Sequence, residues 1–310
     1  MNWIKKGLIY NVAHYSDWAY SHAHKPSVLL LNQNILRIYF GVRDRQNRTR
    51  TTFIDVNPDN PKEIIYEHDR PVLDLGKLGA FDDAGANVSC LVKHNDLIYM
   101  YFIGWNPGTT VSTRNAIGVA VSKDNGVTFE RLFDGPIFGR TPEEPYYTGA
   151  ICVMIQDDLW KAWYTSGTHF EIVNGNPEIC YHIKYCESED GIHWKRPGIS
   201  CIPPQHSLEV TARPSVLYEN EKYRMWYSYR SMRGFREKSE ARYRIGYAES
   251  TDEKQWVRMD EQAGIGLSKY GWDSRTIAYP AVYRYKEKLY MIYNGNDFGA
   301  SGFGYAVLEE

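Results

Sequence analysis

The sequence predicts an all-β fold: a single five-bladed β-propeller whose ring is closed by the N-terminal strand in blade five. Three observations lead to this prediction. The chain contains a repeat of 62 to 66 residues, each repeat holds a series of short strand patterns, and the fifth repeat lacks its last strand. The 310 residues are enough for one large β domain, and no Gly-, Ser- or Pro-rich stretch offers a linker between two domains.

The repeat is anchored on an aromatic residue in the second strand of each unit. The five anchors are Tyr39, Tyr101, Tyr164, Tyr227 and Tyr293. A first strand such as PSVLLL or PAVYRY begins thirteen residues earlier, and a polar turn such as LNQN or YENE separates the two strands. Apolar and polar residues alternate along these segments, which indicates antiparallel strands rather than helices.

The repeat divides one domain, residues 1–310, into consecutive segments. Blade one is predicted at 16–78, blade two at 79–140, blade three at 141–204, blade four at 205–268 and blade five at 269–310. Blade five stops directly after its third strand. Residues 1–15 are predicted to complete it, because residues 2–9 resemble residues 193–200, the fourth-strand region of blade three. This pairing would leave no open edge between the first and last blades.

Composition excludes several classes of function. The 36 Lys and Arg nearly balance the 38 Asp and Glu, and a net charge of -2 does not attract nucleic acid or an anionic membrane. No apolar stretch approaches the length of a membrane span, and because no apolar run follows Lys5 and Lys6 we expect no targeting segment. The five cysteines include no CxxC pair, which fits neither a disulfide framework nor a zinc site. We expect a cytoplasmic protein without metal or cofactor, of undetermined oligomeric state.

Ionisable residues gather where the first strands enter the predicted channel mouth. The segments 20–25, 81–87, 143–148, 208–213 and 272–279 carry them, while the strands that follow are mostly apolar. Because these segments converge from all blades, we expect the binding or active site at the mouth. The predicted substrate-binding residues are His24, Lys25, Arg43, Asn87, Trp105, Arg213, Arg230, Asp273 and Tyr279.

Some of these residues also have structural interpretations. Glu209 and Arg213 share a strand face at period two, which suits either a functional carboxylate beside a guanidinium or a structural ion pair. His22 and His24 also share a face, but no metal-ligand spacing accompanies them. Arg43 is either a ligand or solvated charge, and Trp105 is either a sugar platform or packing. Residues 122–129, SKDNGVTF, match the Asp-box pattern, which is a turn device rather than a catalytic motif.

The five-unit repeat, the Asp-box-like turns and the strings YMYF.GW, MWYSYR and WDS...YP resemble the five-bladed glycosidases. These include glycoside hydrolase families 43 and 32 and the family 130 mannoside phosphorylases. The resemblance implies a carbohydrate-active, glycosidase-like enzyme that acts on a sugar or glycoconjugate, with an acid in each of the first three blades. Here Lys25 stands before Pro26, where the first of these acids is expected.

We therefore predict Asp83, Glu144 and Glu209 as the catalytic carboxylates. Glycoside hydrolysis needs one protonated and one ionised carboxyl group, and acids crowded round a channel separate their pKa values. Glu209, held by Arg213, would be the ionised partner, and Glu144 the proton donor. Two other functions remain open. One is a phosphate-dependent phosphorylase or other sugar transferase, in which basic side chains including Lys25 and Arg43 hold phosphate. The other is a non-catalytic sugar-binding propeller.

Overall fold

The computed structural model describes residues 1–12 and 16–309 and is built almost wholly from β-strands. The first unit comprises β2 (Ser21–Asn32), β3 (Ile35–Arg43), β4 (Thr49–Asn57) and β5 (Asn60–Glu67). The second comprises β6 (Gly85–His94), β7 (Leu97–Pro107), β8 (Thr113–Ser122) and β9 (Glu130–Arg131). Successive strands within each unit are antiparallel, and a single parallel pair, Thr49 with Gly85, connects the two units.

The third unit comprises β10 (Thr148–Gln156), β11 (Leu159–Val173), β12 (Asn176–Ser188), β13 (Trp194–Lys195) and β14 (Ser200–Ile202). The fourth comprises β15 (Glu209–Glu219), β16 (Lys222–Ser231), β17 (Arg244–Ser250) and β18 (Val257–Arg258). The fifth contains β19 (Ala278–Tyr285), β20 (Lys288–Asn294) and β21 (Phe303–Glu309). Short helical turns lie at Ser239–Ala241, Asp260–Gln262 and Asn296–Gly299.

The N-terminal strand β1 (Asn2–Tyr10) completes the fifth unit, as the missing fourth strand predicts. It pairs antiparallel with β21, from Asn2 opposite Glu309 to Tyr10 opposite Phe303. The strand order of this sheet is β1-β21-β20-β19. Residues 13–15 of the predicted closing segment lie outside the described residues.

The hydrophobic core consists chiefly of five clusters, each lying between two units. They are represented by Tyr39 and Phe102 between units one and two, Tyr101 and Tyr164 between two and three, Trp163 and Tyr227 between three and four, Trp226 and Tyr293 between four and five, and Phe40 and Tyr283 between five and one. The first strands of the units, β2, β6, β10, β15 and β19, also contact one another in succession, and β19 contacts β2. Packing therefore runs from the first unit to the fifth and back to the first.

Each of these five inner strands contains a bulge near its start. In units one, four and five the bulge includes the residue before a proline, and that residue has a positive φ: 54° at Lys25, 54° at Arg213 and 56° at Tyr279. A bulge interrupts the alternation of side chains along a strand. Arg213 lies inside such a bulge, so the regular alternation from which Glu209 and Arg213 were predicted to share a face does not extend to Arg213.

The tight turns that follow the third strands are stabilised by aspartates. Asp124 accepts hydrogen bonds from the backbone amides of Val127 and Thr128 at 3.0 Å each. Asp190 and Asp252 accept equivalent bonds in units three and four. These contacts give the three aspartates a structural role in their turns. Within residues 1–12 and 16–309, no helix has the length and apolar character needed to cross a bilayer.

Candidate functional site

A cavity of about 270 Å³ lies between the first and second units, at the bulged ends of their inner strands. We call it the mouth cavity. Five of the predicted substrate-binding residues line it together: His24, Lys25, Arg43, Asn87 and Trp105. Asn47, Thr49, Ile103, Thr113 and Asn115 complete the lining. The lining comes from six strands and one turn, so the site is assembled by the packing of one unit against the next.

The mouth cavity is cationic. Lys25 and Arg43 both line it, and neither forms an ion pair with any carboxylate in the described part of the chain. The Lys25 ammonium lies 5.8 Å from the centroid of the Tyr279 ring. Burial, together with the charges of Arg43 and Arg213, lowers the pKa of Lys25 to about 7. A negatively charged ligand would reverse this effect, because an opposite charge favours the ammonium form.

Two polar groups at the floor of the mouth cavity lack a protein partner. Asn87 Nδ2 lies 3.4 Å from His24 Nδ1, and the pKa of His24 is well below its usual value because of burial and the nearby Arg43. With Nδ1 accepting, the neutral imidazole carries its proton on Nε2. His24 Nε2 and Asn87 Oδ1 are buried and have no hydrogen-bond partner among the described residues. They are a donor and an acceptor whose hydrogen-bonding capacity the described residues do not use.

Two glycines make room for this arrangement. A Cβ atom on Gly41 would lie 2.4 Å from Asn87 Oδ1 and 2.9 Å from His24 Nε2. A Cβ atom on Gly85 would lie 1.8 Å from Trp105 Nε1. Larger residues at these positions would therefore displace the side chains that line the cavity.

Arg213 does not line the mouth cavity but lies between inner strands, where it contacts residues of β2 and β6. Its guanidinium donates to the carbonyl and hydroxyl groups of Ser89, and at 2.7 Å each to Pro26 O and Ser27 Oγ. It thereby ties the first, second and fourth units together. These backbone and hydroxyl contacts give Arg213 a structural role.

A group of aromatic rings surrounds Arg230 beside Tyr279. The Arg230 guanidinium lies 3.6 Å from the centroid of Phe235 and 5.3 Å from that of Tyr243. Tyr243 packs on Tyr279, with their ring centroids 5.4 Å apart. Through Tyr279 this group adjoins Lys25, but Arg230 itself does not line the mouth cavity.

The acids that precede the inner strands form a repeated structural contact. In units two to five one such carboxylate accepts a hydrogen bond or ion pair from a basic residue on or beside the outermost strand. The pairs are Asp82 with Arg131 at 2.7 Å, Glu144 with Arg196 at 3.0 Å, Glu209 with Arg258 at 2.6 Å, and Asp273 with Lys5 at 2.6 Å. We call them the strap pairs. The fifth strap pair is completed by the N-terminal strand, because Lys5 belongs to β1.

The geometry of Glu144 does not suit a proton donor. It accepts hydrogen bonds from Tyr164 at 2.8 Å, Ser166 at 2.7 Å and Lys184 at 2.9 Å, besides the ion pair with Arg196. Burial raises the pKa of Glu144, but these contacts outweigh burial and lower it. An acid catalyst needs the opposite shift.

Glu209 and Asp83 also lie away from the mouth cavity. Both nitrogens of the Arg258 fork bind Glu209, at 2.6 and 2.8 Å, so the predicted Glu209–Arg213 pair is replaced by a pair with Arg258. Asp83 accepts a hydrogen bond from the Gly79 amide at 3.0 Å in its own loop. Among the residues described, no carboxylate lines the mouth cavity.

Sequence reasoning missed the contribution of the third strand to the site. Asn115 lines the mouth cavity near the start of β8, and its buried Oδ1 has no hydrogen-bond partner among the described residues. The topology points to this residue, because the third strand of an antiparallel unit begins beside the end of the second strand, and Asn115 lies opposite Trp105.

Comparison with known proteins identifies relatives and fold neighbours. Two uncharacterized proteins from different strains of Mycobacterium tuberculosis are each 34% identical to this chain over 310 residues, which covers 100% of both sequences. No protein-family model matches the chain.

Solved structures share the fold at low sequence identity. A glycoside hydrolase matches with a TM-score of 0.73 and 16% identity, over 98% of this chain and 91% of its own. A thermostable family-43 glycoside hydrolase gives 0.69 and 17%, over 96% and 90%. A structure from the GH130 family of mannoside phosphorylases, described as containing glycoside hydrolases that target β-1,2 mannosidic linkages in Candida mannan, gives 0.72 and 14%, over 99% and 94%. The chain therefore has the propeller fold of these enzymes, as the resemblance in the sequence implies.

Proposed function

This chain belongs to the same family as the two mycobacterial proteins, and we propose that it binds a carbohydrate together with a phosphate group in the mouth cavity. The phosphate is either an ester on the sugar or a free co-substrate. The observation that carries the proposal is the presence of Lys25 and Arg43 in one cavity without a carboxylate partner in the described structure. Both side chains are partly buried, and a bound anion would supply the counter-charge that the described residues do not.

Phosphate suits the arrangement of the donors. A guanidinium binds two phosphate oxygens at once, and an ammonium contributes a compact charge. His24 Nε2 and Asn87 Oδ1 lack partners in the described structure. His24 Nε2 can donate to a sugar hydroxyl or a phosphate oxygen, and Asn87 Oδ1 can accept from a sugar hydroxyl. The half-buried indole of Trp105 offers an apolar face for a sugar ring. The carbohydrate part of the proposal is supported by the fold shared with the glycosidases.

Phosphorolysis or transfer of a phosphorylated sugar fits this site better than hydrolysis by two carboxylates. Hydrolysis of the family-43 kind requires two acids facing the scissile bond. The acids predicted for that role are engaged in strap pairs or in a loop, and the cavity offers cations instead. In phosphorolysis the phosphate is the nucleophile, so one of the two carboxylates is not needed. A bound phosphate would raise the pKa of Lys25 above its value of about 7 in the free protein, so Lys25 would hold the phosphate as an ammonium group.

The same proposal includes the architecture and location. We infer that the five units are five blades of one ring closed by β1, with the blade boundaries predicted from the repeat. The cyclic succession of inner-strand contacts and inter-unit clusters supports this inference. A cytoplasmic location is supported by the five unpaired cysteines.

Calorimetric titration with matched ligands tests the function. A hexose 1-phosphate, a hexose 6-phosphate and inorganic phosphate are compared with the neutral hexose. We expect the phosphate ligands to bind at least about tenfold more tightly than the neutral sugar, which corresponds to about 1.4 kcal/mol. Lys25→Met and Arg43→Met should each remove most of this preference. Lys195→Met, which changes an exposed lysine with an acidic neighbour, serves as the control.

The pattern of binding distinguishes the sources of phosphate. Tight binding of one phosphorylated sugar would indicate an ester substrate, whereas a sugar that binds only with inorganic phosphate would indicate phosphorolysis. Equal affinity for neutral and phosphorylated sugars, or a phosphate preference that survives both substitutions, would exclude the proposal.

A further inference from the structure

A long hairpin of the third unit brings a histidine, a cysteine and a glutamate together outside the mouth cavity. Strands β11 and β12 extend as a two-stranded ribbon, and His169 lies directly opposite Cys180 in their register. Glu171 follows two residues after His169 and shares its face, because side chains alternate along a strand. The cross-strand pairing thus places three potential metal ligands on one side of the ribbon.

The distances between these side chains suit a small cation. His169 Nε2 lies 3.1 Å from Cys180 Sγ and 3.4 Å from Glu171 Oε1, and the three ligand atoms all lie within 4.8 Å of one another. Tetrahedral zinc with ordinary Zn–N, Zn–O and Zn–S bonds separates its ligand atoms by about 3.3–3.7 Å. Small rotations of the side chains would therefore place an ion at bonding distance from all three.

The histidine is oriented for coordination. Thr168 Oγ1 lies 3.1 Å from His169 Nδ1, a contact that leaves Nε2 directed at the thiol and the carboxylate. Such a contact to the second ring nitrogen is common around metal-binding histidines, because it fixes the tautomer and the ring angle.

The surroundings close one side of the group and leave the other accessible. Cys180 is buried against Met232 of the fourth unit, whose Sδ lies 3.1 Å from Cys180 Sγ. The His169 side chain is 50% exposed and the Glu171 side chain is 35% exposed. An ion could reach the group from solvent and bind next to the two sulfur atoms, Cys180 Sγ and Met232 Sδ.

We propose that His169, Glu171 and Cys180 form a Zn²⁺ site, with the fourth coordination position directed toward solvent. Nitrogen, thiolate and carboxylate ligands are the set that zinc takes in proteins, and three protein ligands with one open position are typical of an accessible zinc site. The site is independent of the proposed phosphate function, since none of its residues lines the mouth cavity.

Zn²⁺ bound at this site would also make the β11–β12 ribbon more rigid. Cys180 is followed by Tyr181, whose hydroxyl lies 2.6 Å from that of Tyr243 in the fourth unit. A metal bound to Cys180 would hold the ribbon in the position from which Tyr181 makes this contact.

Metal titration of the full chain tests the site. After treatment with a chelator and buffer exchange, the protein is titrated with Zn²⁺ in competition with a chromophoric chelator, and separately with Co²⁺. We expect one Zn²⁺ per chain and a thiolate-to-Co²⁺ charge-transfer absorption in the near ultraviolet. His169→Ala should weaken Zn²⁺ binding at least about 100-fold, since even residues that merely support metal ligands contribute up to that amount. Cys180→Ser should abolish the Co²⁺ absorption.

A matched control separates this site from other histidines. His193 is exposed and lies 2.7 Å from the Asp190 carboxylate, so His193→Ala removes a histidine beside an acid that has no thiol partner. It should leave Zn²⁺ affinity unchanged. The His169 side chain is half exposed, so His169→Ala should fold even if Cys180→Ser does not. Absence of stoichiometric Zn²⁺ binding in the wild type, or undiminished binding in His169→Ala, would overturn the proposal.

Discussion

Replacement of Trp3 by alanine tests whether the N-terminal strand holds the ring together. Trp3 belongs to β1 of the fifth unit, yet its ring is 4% exposed and packs edge-to-face on Trp226 of the fourth unit, with centroids 5.8 Å apart. Its backbone amide donates to Gly264 O at 3.0 Å. The residue therefore joins the first strand of the chain to two parts of the molecule more than two hundred residues away.

The size of the effect follows from the buried area. A tryptophan buries roughly 150–250 Å², and at about 25 cal/mol per Å² this area contributes about 4–6 kcal/mol. Measured losses for such truncations are about 3–5 kcal/mol. We expect Trp3→Ala to lower the free energy of unfolding by about 4 kcal/mol, and the melting temperature by roughly 8 °C at about 2 °C per kcal/mol for a chain of this size.

Denaturant titration followed by circular dichroism measures this loss. Tyr270→Ala is the control, because Tyr270 is 77% exposed and its removal should change stability by no more than about 0.5 kcal/mol. Deletion of residues 1–10 should destabilise the protein more than Trp3→Ala, since it also exposes the edge of β21. A loss below about 1 kcal/mol in Trp3→Ala, together with an unchanged melting temperature after the deletion, would refute closure by β1.

Three further predictions concern the site and the strap pairs. Glu209→Gln should cost about 2 kcal/mol of stability at pH 7, the contribution of hydrogen bonds to a charged group. Burial raises the pKa of Glu209, but the contacts with Arg258 outweigh burial and lower the pKa below the unfolded value of 4.5. The stabilisation is therefore fully present above pH 4.5 and should be lost as the pH falls below that value. Denaturation of both proteins at several pH values measures the difference in stability, and a difference that stays constant down to pH 2 would contradict the prediction. The pKa of Lys25 is about 7, so the wild type should bind phosphate more weakly as the pH rises through 7. Lys25→Arg stays charged and should lose less affinity over the same range. If calorimetry gives the same dependence of phosphate affinity on pH for both proteins, Lys25 is not a ligand. Gly85→Ala should displace Trp105 and weaken sugar binding at least about tenfold, visible in tryptophan fluorescence titrations, whereas normal affinity would show that Trp105 is not a sugar platform.

The order of the strands could be predicted from the sequence because the repeat is nearly constant in length. Each unit places its anchor, Tyr39 or an equivalent, in the second strand, and the spacing leaves room for the same set of strands. The position of β1 could be predicted as well, since the fifth unit ends one strand short. The alternation of apolar and polar residues and the length of the repeat are both visible in a single sequence, which is why these features could be predicted.

The mouth cavity could be predicted only in part. His24, Lys25 and Asn87 were found because inner strands must converge, which is a property of the topology. The role of Arg213 was not predictable, because it depends on a bulge at a residue with φ of 54°. Period-two reasoning assumes an uninterrupted strand, and a single bulge reverses its conclusion.

The metal candidate was missed for a related reason. His169 and Cys180 are eleven residues apart, outside the short spacings that identify zinc ligands in a sequence. A ribbon of two long strands brings them opposite each other, and only the register of β11 with β12 determines which residues meet. A shift of that register by one residue would place His169 and Cys180 on different faces of the ribbon.

The strap pairs give structural partners to Glu144 and Glu209, two of the three predicted catalytic carboxylates. Asp82, Glu144 and Asp273 lie shortly before their inner strands and Glu209 opens β15, in the region where glycosidase-like propellers are expected to hold their acids. Their partners come from the outermost strands, about fifty residues later in units two to four, and from the opposite end of the chain in unit five. A sequence shows which acids recur but not which cations they meet. The pairing of Asp273 with Lys5 therefore carries two conclusions at once: it gives a candidate acid a structural role, and it makes β1 equivalent to the outer strands of the other units.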